Sequence, residues 1–373
     1  DLVYGPAQHP VRAAQLSNGA RTVIRNLQDA GFRAFVVGGA VRDLLLGRPR
    51  ADVDLVVVGD AAGLAARLGG AGAQHERFGT VKVEVDGHEI DLATARSETY
   101  PQPGALPVVA PAQSIEEDLE RRDFTINAMA VPLDDGAQLI DPRGGRDDLG
   151  RGLLRVLHER SFEDDPTRAI RAARYASRYG FTLEPETDRL LRRADLATVS
   201  ADRRRAELER LAAEPNGVVG LGLLAGWGVI DLREGGVELM KSVEELLRAP
   251  HWAALVPRER ALIAAALGPE GTERVLATMW APKPGEGVEL AERRDPVELI
   301  LARAMGASWL DQYLTIWRDV KLEIDGGDLI AKGIPEGPAI GRGLRAAWLM
   351  KLEGEISGRE EELTTALAAA LRE

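Results

Sequence analysis

The chain has 373 residues, enough for two or three domains, with 45% hydrophobic and 28% charged residues, the balance of an ordinary globular protein. No apolar run approaches the ~18–20 residues of a membrane span, and the lack of cysteine excludes disulfides and thiolate chemistry. A net charge of −12 excludes nucleic-acid binding through the overall field, so any RNA contact needs a local basic surface. The five histidines have no metal-ligand spacing, which argues against zinc, and the composition suits a cytoplasmic protein. The first residue is Asp1 and not Met, which leaves room for residues upstream.

In chain order, residues 17–30 read as a helix. Ser17 caps it, Val23, Ile24 and Leu27 share a face, and Gly31 ends it. Residues 34–37 form a short buried strand, broken by Gly38-Gly39 and followed by a helix over 40–46 that stops at Gly47. A second strand carries Asp52 and Asp54 and runs into the apolar stretch 55–58. An Ala-rich helix is expected at 61–68. Residues 80–85 alternate as a half-buried strand, Asp86-Gly87 signals a hairpin turn, and 88–93 is the returning strand. Four strands and two helices of this kind make a small catalytic head.

Residues 96–114 are Pro-rich and aperiodic, and are expected to be a mobile loop beside the site. Ser114 to Glu117 has capping-box spacing for a helix running into Arg121-Arg122-Asp123, and residues 125–131 are apolar enough to add a strand. From Ser161 onward nearly everything reads as helix, with breaks near Gly180, Pro185, 215–217, Pro250, Pro269 and 282–287. All six tryptophans fall in this half and are expected as core.

Two clusters carry chemistry. Asp52 and Asp54, at spacing two on a strand, point to one face and suit a pair of divalent metals in phosphoryl transfer. The preceding Gly38-Gly39 turn would let a triphosphate approach the backbone. It is neither a P-loop, for lack of Gly-Lys-Ser/Thr, nor a dinucleotide fingerprint. The second cluster is Glu163-Asp164-Asp165-Pro166-Thr167-Arg168 with Arg171, Arg174 and Arg178. At 100° per residue the four arginines cover about a third of a helix circumference. One reading is a solvated basic face with an i,i+3 ion pair. The other is a base-reading pair: cytosine and adenine each offer a ring-nitrogen acceptor beside an amino donor, matching a guanidinium plus a carboxylate. Uracil and guanine present the opposite order.

The chain resembles the class II tRNA nucleotidyltransferases, the bacterial CCA-adding family with its CC-adding, A-adding and poly(A) polymerase relatives. The resemblance rests on Gly38-Gly39-Ala40-Val41-Arg42-Asp43 through Asp52-Val53-Asp54, on Arg121-Arg122-Asp123-Phe124-Thr125-Ile126-Asn127-Ala128, on Asp141-Pro142-Arg143-Gly144-Gly145 through Asp148-Leu149 and Leu154-Arg155, and on Asp165-Pro166-Thr167-Arg168 through Arg171 and Arg174. Fainter matches are Asp202-Arg203 to Glu207-Leu208 and the tail with Gly337-Pro338-Ala339-Ile340-Gly341.

The resemblance implies an α+β fold: a polymerase β-like sheet head (1–150), then an all-α neck (151–212) and an all-α body and tail (213–373) that bind the tRNA acceptor arm. It implies that Asp52 and Asp54 are catalytic and hold two Mg²⁺ ions. Gly38, Gly39 and Arg42 would meet the phosphates, Arg122 and Asp123 would hold the nucleotide at its ribose, and Asp165 and Arg168 would read the base of CTP or ATP. Arg171 and Arg174 would support that pair or meet phosphates. Asp91 is a candidate third carboxylate. The implied reaction is template-independent transfer of CMP and AMP to the tRNA 3′-hydroxyl with release of pyrophosphate. CC-adding relatives lack a flexible loop where 96–114 stands here, which favours CCA addition or A-addition, and Leu157-His158-Glu159-Arg160-Ser161-Phe162 is similar to A-adding members. The non-enzyme alternative is an inactive RNA-binding protein, against which Asp52 and Asp54 speak.

Overall fold

The computed structural model describes residues 33–48, 54–59, 74–75, 80–85, 88–132, 138–268 and 282–372. The helices expected at 17–30 and 61–68, the Asp86-Gly87 turn, the Pro269 break and Asp52 lie outside them. The chain divides into two compact units, Asp1–Ile230 and Asp231–Glu373.

The first unit is built on a six-stranded mixed sheet of β1 (Arg33–Val37), β2 (Asp54–Val58), β3 (Gln74–His75), β4 (Thr80–Val85), β5 (His88–Thr94) and β8 (Ala130–Pro132), in the order β3-β4-β5-β2-β1-β8. Strands β2 and β5 pair in parallel, and β1 pairs antiparallel with both β2 and β8. Strand β1 is apolar throughout its inner four residues because both of its faces are covered. Ala34 and Val36 join a cluster with Leu55, Val57, Phe124 and Ile126, while Phe35 and Val37 pack on the other side with Val56, Ile115 and Leu119. The uninterrupted apolar runs at 34–37 and 55–58, on which the sequence reading rested, fit strands covered on both faces.

Helix α1 (Gly39–Leu45) follows β1. The segment 96–114 is not a loop: β6 (Arg96–Thr99) and β7 (Val108–Pro111) form an antiparallel hairpin with its own register, Arg96 opposite Pro111 and Thr99 opposite Val108. Its prolines hide the pattern, because Pro111 sits at the last position of a two-stranded ribbon, where a missing N–H is tolerated. Helix α2 (Ile115–Glu120) starts at Ser114, whose Oγ accepts from the Glu117 N–H, while the Glu117 carboxylate caps the Gln113 N–H instead of closing a capping box. Of the expected strand 125–131, a 3₁₀ turn takes Thr125–Asn127 and only Ala130 and Val131 join β8.

Helix α3 (Gly145–Arg151) packs under that turn. A Cβ at Gly145 would overlap the Thr125 carbonyl, and Asp148 accepts from the Thr125 hydroxyl at 2.7 Å and Arg155 Nε at 3.0 Å. Strands β9 (Leu153–Leu154) and β10 (Thr182–Leu183) pair in parallel around α4 (Ser161–Asp164) and α5 (Thr167–Tyr179). Then come α6 (Pro185–Leu191), α7 (Ala201–Ala212) and α8 (Gly217–Gly226). Helix α8 packs on α5 through the close fit of Gly220 against Ser177 and Leu211, so it belongs to this first unit.

The second unit is helical: α9 (Gly236–Leu246), α10 (Pro250–Ala253), α11 (Arg258–Leu267), α12 (Pro284–Ala291), α13 (Pro296–Ala304), α14 (Leu310–Thr315), α15 (Gly326–Ala331), α16 (Pro338–Leu352) and α17 (Gly358–Ala370). Trp252, Trp309 and Trp317 are buried core residues, as expected, while Trp227 and Trp348 are half-buried and Trp280 lies outside the described residues; the last three helices close over Leu329, Ala347 and Ala366.

Candidate active site

A cleft of about 480 Å³ opens in the first unit, lined from the head, the β6–β7 hairpin and helices α5 and α7. Nine arginines line it (42, 96, 121, 122, 168, 171, 174, 178 and 203) against the carboxylates of Glu98, Asp123 and Asp165. An excess of guanidinium in a concave, partly enclosed site concentrates polyanions. This is the local basic surface that the net charge of −12 conceals.

The head side begins at Gly38. Its φ of 63° favours glycine, and a Cβ there would push aside the end of the Arg122 side chain at Nη1. Arg122 is held in turn by Asp118, Nη2 to Oδ2 at 2.8 Å. Asp118, fully buried, also takes Arg121 at 2.8 Å and the Arg96 N–H at 3.1 Å. Burial alone would push its carboxyl up, but Arg122, Arg121 and these hydrogen bonds hold it below the usual value. Its signal in the sequence was its spacing, three and four residues before Arg121 and Arg122 on one helix face, and the sequence reading passed over it.

Asp123 is buried beneath the same wall. Its Oδ1 accepts from the Phe124 N–H at 2.8 Å and Asn127 Nδ2 at 2.9 Å, and its Oδ2 lies 2.8 Å from Arg171 Nη2. Burial raises its pKa, and the Arg171 charge with these hydrogen bonds more than reverses that, leaving it depressed. Arg171 is raised in return, first by Asp123.

The neck side is the α5 stripe. Arg168, Arg171, Arg174 and Arg178 all line the cleft, and Gly180 in left-handed conformation ends the helix. Arg168 is buried. Its Nη1 donates to Ser161 Oγ at 2.6 Å and its Nη2 to the Arg121 carbonyl at 3.0 Å. Asp165 stands two residues before the start of the helix, and its Oδ1 takes three donors: the Thr167 N–H at 3.2 Å, the Thr167 hydroxyl at 2.7 Å and Arg203 Nη2 at 3.1 Å. Arg174 faces Glu207 at 3.7 Å, and Arg178 Nε lies 2.9 Å from Glu214.

Arg42 also lines the cleft but is 3% exposed, with donors committed to the protein. Nε and Nη2 bind Asp43 Oδ1 at 2.9 and 2.8 Å, Nη1 binds Asn127 Oδ1 at 2.6 Å, and Nη2 also binds the Tyr179 hydroxyl at 2.9 Å. The rings of Tyr175 and Tyr179 lie 5.1 and 4.8 Å from its Cζ. Burial lowers its pKa, and the tyrosines and Asp43 more than compensate, so it stays charged.

The hairpin closes another wall. Glu98 accepts from Arg96 Nε at 3.1 Å, Arg121 Nη1 at 3.0 Å and the Tyr100 hydroxyl at 3.1 Å. At the tip Gly104, with φ of 69°, donates to the Glu163 carbonyl at 3.2 Å and accepts from Arg203 Nη1 at 2.9 Å, while Thr198 leaves no room for a Cβ. Glu98, Tyr100 and Arg203 are cleft residues that sequence reasoning did not assign to the site.

Of the acidic pair, Asp54 opens β2 and its backbone stands in register with Asp91 on parallel strand β5. Neighbouring strands are ~4.8 Å apart, so two carboxylate-bearing positions are adjacent. Carboxylate oxygens and no thiolate form a donor set that fits a hard divalent cation, the kind of metal that nucleotidyltransferases generally use.

The mixed sheet, with acidic residues on adjacent strands and an arginine-lined cleft beside it, defines a polymerase β-like nucleotidyltransferase. Residues 34–155 match the Poly A polymerase head domain. A CC-adding tRNA nucleotidyltransferase from Deinococcus radiodurans is 36% identical over 352 residues, 90% of this chain and 89% of that protein. An A-adding tRNA nucleotidyltransferase from Aquifex aeolicus is 50% identical over 169 residues, 44% of this chain, which spans 20% of that longer protein. The structure of a Thermotoga maritima CCA-adding enzyme in complex with tRNA superposes with a TM-score of 0.73 at 30% identity, covering 93% of this chain and 94% of that one. The chain belongs to the tRNA nucleotidyltransferase family. Among the described residues no helix is long and apolar enough to cross a membrane.

Proposed function

We propose that this chain adds nucleotides of the terminal CCA to tRNA in the cytoplasm, transferring CMP and AMP from CTP and ATP to the RNA 3′-hydroxyl with release of pyrophosphate. The observation that carries the reading is the meeting of Asp165 and Arg168 in one arginine-lined cleft sized for a single nucleotide. Three donors on Oδ1 fix the Asp165 carboxylate, and Ser161 with the Arg121 carbonyl fixes the guanidinium. A carboxylate that accepts from the base amine and a guanidinium that donates to the ring nitrogen select C and A without a nucleic-acid template.

In this reading Arg122, Arg171 and Arg174 meet the triphosphate, Gly38 and Gly39 let it approach the backbone, and Asp123 with Arg122 holds the ribose. Asp52 and Asp54 hold two Mg²⁺ ions, with Asp91 as a neighbouring carboxylate. Bound there, the metal would lower the pKa of the 3′-hydroxyl and neutralise charge on the triphosphate. The arginine row offsets the remaining charge before the nucleotide arrives, and the buried Asp118 keeps two of those arginines in place. The helical second unit binds the tRNA acceptor arm. Addition of the last A alone is the second reading, favoured by the 50% identity over 169 residues to an A-adding relative.

The test is incubation of the purified protein with tRNAs lacking the whole CCA, the last two nucleotides or the terminal A, each with CTP or ATP. Extension of all three supports full CCA addition. Extension of the last alone reduces the activity to A-addition. No extension of any overturns the enzyme reading.

A further inference from the structure

Two aromatic side chains line the cleft, Tyr100 and Tyr175. The Tyr175 ring is occupied: it is buried, edge-on to Phe124 at 5.9 Å, and carries the cations of Arg42 and Arg174 at 5.1 and 5.5 Å. Tyr100 is half-buried just past the end of β6. Its ring centroid lies 6.0 Å from the Arg168 guanidinium. Its hydroxyl donates to Glu98 Oε2 at 3.1 Å, and Glu98 is pinned by Arg121 at 3.0 Å. The Arg121 carbonyl in turn accepts from Arg168 at 3.0 Å. A closed circuit of contacts therefore fixes the ring against the guanidinium. Burial first, and Glu98 with Asp165 after it, push the Tyr100 hydroxyl up to about 12 against the pull of Arg168, so the phenol remains a neutral donor.

We propose that the Tyr100 ring is the stacking wall of the slot in which Asp165 and Arg168 read the base, a further base-binding residue of this site. The inference rests on the base-reading assignment made above. A slot lined by guanidinium and carboxylate alone gives the edge of a base its partners but its flat face little apolar contact. An aromatic ring supplies that contact for any base, worth ~1–3 kcal/mol in stacked complexes. Stacking is indifferent to base identity, so Tyr100 contributes affinity while Asp165 and Arg168 contribute choice.

The test is isothermal titration of the full chain with CTP, ATP and inorganic tripolyphosphate. Tyr100→Ala is expected to weaken CTP and ATP about tenfold, the low end of one stacked base, and to leave tripolyphosphate, which has no base, within about twofold. Tyr100→Phe, which keeps the ring, is expected to recover CTP binding to within about threefold of the parent. A parallel loss of tripolyphosphate affinity in Tyr100→Ala would show that the ring only props up the arginines, and would overturn the proposal. Asp165→Ala, assayed for UTP and GTP incorporation, separates the two readings. Unchanged choice there removes the base-reading assignment and the slot with it. Lost choice there, with unchanged CTP and ATP affinity in Tyr100→Ala, removes the ring alone.

Discussion

Arg42 and Tyr179, 137 positions apart, are joined twice: Nη2 donates to the tyrosine hydroxyl at 2.9 Å and the guanidinium lies 4.8 Å from the ring centre. The same hydroxyl donates to Asp43 Oδ1 at 2.8 Å, so helix α1 is fastened to the end of α5. Whatever Arg42 lends to a bound phosphate, it is first a fastener between head and neck. Arg42→Ala would take from the buried Asp43 the guanidinium that binds it, a charge-assisted contact worth ~1.5–3 kcal/mol. Tyr179→Phe, which removes one hydroxyl from the network, should cost ~1–2 kcal/mol. Urea unfolding checks both. Stability unchanged within about 0.5 kcal/mol in Arg42→Ala would mean the network does not fasten the fold.

The buried Asp123, paired with the cleft-lining Arg171, predicts an acid limit. The Asp123 pKa is depressed in the fold, so its contribution is fully present above the unfolded value of about 4 and is lost as pH falls through the lower folded pKa. Asp123→Asn should cost ~1.5–3 kcal/mol at neutral pH by removing the charge that holds Arg171. That deficit should shrink below about pH 4, where the unfolded parent takes up a proton at Asp123 that the folded parent does not yet bind. Unfolding curves of parent and variant at neutral and acid pH give the comparison. A deficit constant with pH would show that the carboxylate charge contributes nothing.

Gly38→Ala tests whether the first glycine acts through Arg122. The left-handed φ of 63° costs about 1 kcal/mol for alanine, and the new methyl must displace the Arg122 guanidinium. The expected result is a small loss of stability with a rise in KM for both CTP and ATP of about tenfold, the size of one lost charge-assisted contact. An unaltered KM would detach Arg122 from nucleotide binding.

How far the sequence led differs by element. Strands β1 and β2 were legible because both faces are buried and the residues are apolar without interruption. The arginine stripe was legible because 168, 171, 174 and 178 keep helical spacing. The partners of those arginines were not. Arg171 finds Asp123 and Arg42 finds Asn127, pairings 48 and 85 positions apart along the chain that only the folded sheet brings about. The hairpin was missed because its four-residue strands are too short for alternation to register, and its order comes from the tip contact between Gly104 and Arg203. The resemblance to the family supplied the roles; the geometry supplied what orients each group.

Asp52→Ala is expected to abolish incorporation of both nucleotides while leaving CTP binding through the arginines measurable by titration. Chelation of divalent cations should do the same to the parent, with recovery on adding Mg²⁺. Activity that survives chelation would remove the metal from the reaction.

Arg168→Ala bears most directly on nucleotide choice. Its guanidinium is not a mobile surface charge: Ser161 and the Arg121 carbonyl hold Nη1 and Nη2, and the side chain is 3% exposed. Burying a cation is costly unless hydrogen bonds and counter-charges compensate it, and Asp165 lines the same cleft with the complementary acceptor chemistry. Two fixed groups can refuse a base by leaving a donor facing a donor, a penalty of ~1–3 kcal/mol for each mismatch. Removing one should therefore raise UTP and GTP incorporation relative to CTP and ATP by about tenfold or more. A general fall in rate with the ratio intact would assign Arg168 to phosphate binding or to the fold. Ser161→Ala gives an independent check, because it removes one anchor of the guanidinium without touching the cation. It should shift the same ratio in the same direction by less.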